Sequence, residues 1–137
     1  MTRVADLPLR GAGGEQVDFL RTIASHGVAE LPPNDLSLEE HTLVATLPVG
    51  ASARTVRITS VGRKLRLELA AGSAGTRARD TLSAAVSHMF RLDEDLSGFY
   101  AVVVEDEELD WCALGAGRML RAPTVFEDVV KTNCTLV

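Results

Sequence analysis

Between His41 and Ala71 the chain places an apolar residue at every second position in three successive stretches, and few folds satisfy that pattern. "HTLVATLPV" sets Leu43, Ala45 and Leu47 on one side. "ARTVRITSV" sets Val56 and Ile58 on one side with Arg57 and Thr59 opposite. "RKLRLELAA" does the same with Leu65, Leu67 and Leu69 against Arg66 and Glu68, the period of a half-buried strand. The links "GAS" and "VGR" are short enough for antiparallel hairpins. One apolar sheet face needs a cover, and "TLSAAVSHMFRL" supplies it. Its Leu82, Ala85, Val86, Met89 and Phe90 fall at i, i+3, i+4, i+7 and i+8, one face of a helix. The expectation is an α+β fold, a small antiparallel sheet covered by helices.

The flanking segments are less regular. Residues 1–15 read as a weakly ordered lead-in carrying one edge strand at Val4–Leu9. The run Gly11-Ala12-Gly13-Gly14 has neither the Lys-Ser/Thr of a phosphate loop nor the third spaced glycine of a dinucleotide fold, and reads as a flexible turn. "QVDFLRTIASHG" predicts a helix with Val17, Leu20, Ile23 and Ala24 on one face and Gly27 closing it. "ELPPNDLS" is a breaker, because Pro32 and Pro33 each remove a backbone donor. In "DLSGFYAVVVEDEELDW" three successive valines favour a strand, while Ser97 favours a helix start, and periodicity does not choose. After Pro123, the sequence Thr124-Val125-Phe126-Glu127 has the form of a capping box. Phe126, Val129, Val130 and Cys134 then recur at helical spacing.

A chain of 137 residues with 46% hydrophobic and 24% charged residues has the size and balance of one globular unit. No apolar run approaches the roughly 18–20 residues of a membrane span. The first residues lack an apolar signal core. Cys112 and Cys134 form no ligand pattern, so reduced thiols in a cytoplasmic protein are expected. The net charge of −5 is unevenly spread. Residues 51–79 carry Arg54, Arg57, Arg63, Lys64, Arg66, Arg77 and Arg79 against the lone acid Glu68. Residues 93–110 carry Asp93, Glu94, Asp95, Glu105, Asp106, Glu107, Glu108 and Asp110 with no base. The basic stretch could serve a nucleic acid or simply form the solvated face of a sheet. "EDEELD" lacks the spaced ligands and turn glycine of a calcium loop and reads as solvated surface. His26, His41 and His88 lie far apart, and no Gly-x-Ser-x-Gly context exists. No catalytic residue, metal ligand or cofactor site is assigned.

Two stretches carry a family likeness. "MFRLDED" at Met89–Asp95, continuing into "LSGFY", and "GRMLRAPTVFEDVVKT" at Gly117–Thr132 resemble the N-terminal part of the helix-hairpin-helix DNA glycosylases. The branch is that of the 3-methyladenine and 8-oxoguanine glycosylases. The resemblance implies an N-terminal α+β domain over 16–117, followed at 118–137 by the first helix of an all-helical catalytic domain otherwise missing from this chain. It also implies a helix from Ser97 onward.

Such enzymes act on double-stranded DNA, flipping a damaged purine into a pocket between their domains. Their DNA-gripping hairpin and catalytic Asp have no counterpart here, so the chain alone is expected to be inactive. The basic stretch supplies Arg54, Arg57, Arg63, Lys64 and Arg66 as DNA-binding candidates, with weak or no DNA binding expected of the chain alone. Asn133 joins them if a gapped alignment makes it the loop residue that enters the space left by the flipped base; ungapped, it stands where the family has an apolar residue. With its catalytic partner absent, the stripe Phe126, Val129 and Val130 is expected to self-associate or fray. The other reading is a stand-alone interaction module that docks a partner protein through this last helix.

Overall fold

The computed structural model describes residues 1–135; residues 136–137, the end of the 118–137 segment, lie outside it. The three alternating stretches form β3 (Thr42–Val49), β4 (Ser52–Val61) and β5 (Lys64–Leu69). Gly50 and Gly62 turn the two hairpins at φ of 61° and 60°, where a side chain would be strained. Two further strands, β1 (Thr2–Pro8) and β2 (Asp35–Ser37), complete an antiparallel sheet of order β1-β5-β4-β3-β2. Leu43, Ala45, Leu47, Val56, Ile58, Leu65, Leu67 and Leu69 all point inward and are fully buried.

The lid is α2 (Thr76–Met89), which buries Leu82, Val86 and Met89 against that face, with Phe90 just beyond its end. Phe90 stacks on Phe19 with ring centroids 5.8 Å apart. Phe19 opens α1 (Phe19–Ile23), a helix shorter than expected. Asp18 accepts a hydrogen bond from the Arg21 amide at 2.9 Å and so fixes the start at Phe19, three residues after Gln16. The buried face is Phe19, Thr22 and Ile23, and Ala24 is exposed. Gly27 opens a short 3-10 turn, Gly27–Glu30, instead of closing the helix.

Two expectations for the first third of the chain are corrected. The lead-in holds the expected edge strand, shifted to Thr2–Pro8, but is built into the domain: six β1 residues pair with β5, and Val4 and Leu9 enter the core. The glycine run after it is pinned, not flexible. Gly11 donates to the Glu15 carbonyl at 2.9 Å, and Ala12 donates to the Glu94 carbonyl at 3.1 Å. The breaker "ELPPNDLS" also contains β2, a three-residue edge strand on β3 too short to show a period.

The undecided segment forms α3 (Ser97–Val103), as the resemblance implied. Ser97 is not its cap by side chain; the Asp95 carboxylate accepts from the Ser97 amide at 2.8 Å. Those bonds, the Ser97 hydroxyl first, hold Asp95 below the usual carboxylate range. Tyr100, Val103, Cys112 and Ala116 form a second, smaller core between α3 and the 3-10 turn Asp110–Leu114. The last helix is α4 (Val125–Thr135).

Candidate nucleic-acid face and docking helix

The basic residues singled out from sequence occupy two different settings. On the outer face of the sheet Arg57 and Arg66 each lie opposite an acid. Register pairs Arg57 with Glu68, and their side chains meet at 3.5 Å. It also pairs Arg66 with Asp6, at 3.2 Å, and Arg3 closes on the same carboxylate. The hydrogen bond from Arg66 holds the Asp6 carboxyl below its usual range, and Asp6 in turn pushes Arg66 up. Arg54 donates to the Ser73 carbonyl at 2.8 Å. These three candidates are engaged within the fold.

Arg63, on the turn joining β4 and β5, and Lys64, the first residue of β5, lie at the other end of the sheet, and both are exposed. Arg10, which the sequence reading passed over, reaches the same corner. Leu9 donates to the Arg63 carbonyl at 2.9 Å, and Arg10 bridges Gln16. The only signal in the sequence was a lone arginine ahead of the glycine run. Asn133 is not with them. It is exposed within α4, whose groove abuts the β3–β4 hairpin at the opposite end of the sheet.

The segment leading to α4 lies over the ends of α1 and α2, held by a buried arginine. The Arg118 side chain is fully buried and pairs with Glu15 at 3.6 Å. It donates to the Arg91 and Glu94 carbonyls as well. Arg121 bonds Glu94, and it donates to Nδ1 of His88 at 3.0 Å. The Arg121 amide donates to the Met89 carbonyl at 2.8 Å. A Cβ on Gly11 would stand 1.9 Å from the Glu15 carboxylate, so a side chain there would have to displace this pair. His88 thus accepts from an arginine, and His26 bonds the Leu120 carbonyl at 2.7 Å. Both histidines hold structure together.

The capping box at α4 forms by half. Thr124 accepts from the Glu127 amide at 3.2 Å, but Glu127 turns to Lys131 at 3.6 Å instead of back to the Thr124 amide. Lys131 is buried, and Asp128 accepts from the Ala122 amide at 3.0 Å. The helix therefore sits on the domain by its polar side. Its apolar side faces away: Phe126 is 79% exposed, Val129 52% and Val130 42%. Beside it runs a groove of about 470 Å³ lined by Pro32, Pro33, Pro48, Pro123, Phe126 and Val130.

Among the described residues no group of three His, Cys, Asp or Glu side chains could hold a metal ion. No helix there is long and apolar enough to cross a membrane. Compared with family models, with curated proteins and with solved structures, the chain finds no match.

Proposed function

We propose that this chain is the N-terminal α+β domain of a helix-hairpin-helix DNA glycosylase of the 3-methyladenine and 8-oxoguanine branch. It serves base-excision repair of damaged purines in double-stranded DNA, in the cytoplasm. One observation carries the reading: α4 presents Phe126, Val129 and Val130 outward while Lys131 and Asp128 face the domain. Leaving such side chains in water forgoes roughly 1.5–3 kcal/mol each. The catalytic helices of the family would cover that stripe, and without them a second copy could occupy it. A supporting observation is that the two matched stretches touch. Arg118 and Arg121, from Gly117–Thr132, bond Arg91 and Glu94, from Met89–Asp95.

The chain alone lacks the acid that stabilises the cationic sugar, a contribution of several kcal/mol to such catalysis, so it releases no base from damaged duplex DNA. The second reading, a stand-alone module that docks a partner through α4, rests on the same exposed stripe. The reading frame following the codon for Val137 separates them. A helix-hairpin-helix with a downstream Asp, and base release by the extended chain but not by residues 1–137, supports the glycosylase reading. A stop codon there, with no complementary helical chain encoded alongside, sinks it and leaves the docking module.

A further inference from the structure

We propose that the cleft between the Leu9–Val17 turn and the β4–β5 hairpin is a phosphate site, through which this domain grips the backbone of duplex DNA; this rests on the DNA reading above. The cleft has a volume of about 200 Å³, and Leu9, Arg10, Gly14, Gln16, Gly62 and Arg63 line it. That is several times the roughly 30 Å³ a water takes in the liquid, room enough for a phosphate. Its two arginines come from the opposing lips, with Lys64 next along the strand. No acid lines it.

The contrast with the outer sheet face makes the case. There Arg57 and Arg66 each meet a carboxylate. At the cleft, Arg10, Arg63 and Lys64 have no ion-pair partner among the described residues, in a chain whose net charge is −5. Three cations gathered without a counter-charge repel one another, and a bound anion relieves that repulsion. Guanidinium groups match a phosphate's oxygens in fork geometry. The lips are held at the backbone by the Leu9–Arg63 hydrogen bond of 2.9 Å and the Arg10–Gln16 bridge, so binding has only the side chains left to order. With one phosphate in the cleft, exposed Lys64 faces outward for the next, which suits a polymer backbone better than a small free anion.

The test uses the chain as it stands, with anisotropy of a short fluorescein-labelled duplex titrated across salt concentrations. Amide spectra are recorded in parallel with inorganic phosphate as a second probe. Arg10→Ala and Arg63→Ala should each weaken DNA binding and flatten the plot of log affinity against log salt by about one unit, with unchanged folded spectra. Arg57→Gln should leave both as they were. Equal binding by wild type and both cleft variants would overturn the site while leaving the glycosylase reading to its own test. Phosphate shifting the Arg10, Gln16 and Arg63 amides with no DNA binding would overturn the nucleic-acid assignment in favour of a small phosphate ligand. No response to either probe would overturn the site altogether.

Discussion

Helices α2 and α4 are written in the same way and end in opposite settings. Each repeats apolar residues at helical spacing, yet Leu82, Val86 and Met89 of α2 are fully buried while Phe126 of α4 is 79% exposed. The difference lies in what faces them. The sheet offers α2 eight inward apolar side chains, and α2 occupies that surface with α1. When α4 arrives, the face is taken. It settles by its polar edge, through Lys131, Asp128 and the Thr124 cap. An amphipathic pattern thus says that a helix has an apolar face, not that its own domain covers that face.

The strongest test of that contrast is truncation on the buried side. Phe90→Ala, which empties the space against Phe19, should cost about 3–5 kcal/mol and lower the urea midpoint without changing the slope. A loss under about 1 kcal/mol would mean the lid is not packed as described. The cap of α4 comes next. Thr124→Ala should cost about 1 kcal/mol, and the loss should be local. Amide exchange over residues 125–135 should quicken while the α2 amides keep their protection. Quickening across both helices together would join α4 to the main core and break the comparison.

On the exposed side a smaller effect is expected. Phe126→Ser with Val129→Ser should change the stability of a dilute monomer by no more than about 0.5 kcal/mol per site. Sedimentation of the wild type at rising concentration supplies the complement. If the stripe pairs with a second copy, the double variant should lose that association, and a large stability loss in the monomer would show that the stripe is covered within the chain.

The smallest effect belongs to the sheet face that α2 leaves open. Arg66 holds the Asp6 carboxyl below its usual range, so the unfolded chain takes up that proton first as pH falls. The pair's contribution is complete above about pH 4, near the unfolded value, and is lost as pH falls through the lower folded one. Asp6→Asn should therefore lower the urea midpoint slightly at neutral pH and make no difference in strong acid, as a pair near the surface allows. A difference between the two chains that persists in acid would assign the effect to packing and not to charge.

How much of this was legible follows the range of the interactions. Period two in β3, β4 and β5 identified the inward residues, because alternation is a property of the strand itself. Thr124 as a cap and the amphipathic stretch of α2 were legible for the same local reason. β1 and β2 were blurred because an edge strand is defined by its neighbour: six β1 residues pair with β5, more than fifty positions away. Of the candidate site, Arg63 and Lys64 could be named, but their freedom from acids could not. Nor could their meeting with Arg10, since Arg10 and Arg63 are brought to one cleft only by the β1–β5 pairing.

The sequence by itself determined which residues point inward from the sheet, where its hairpins turn, and that two amphipathic helices follow. Each of these depends on backbone periods and on glycine or capping chemistry within a few residues. Only the tertiary structure decided which helix would be buried, that Arg118 would pass beneath the glycine run to meet Glu15, and which cations would be neutralised. Burial and ion pairing are settled by distances between segments remote in the chain. Spacing along a sequence does not encode those distances until the sheet has closed.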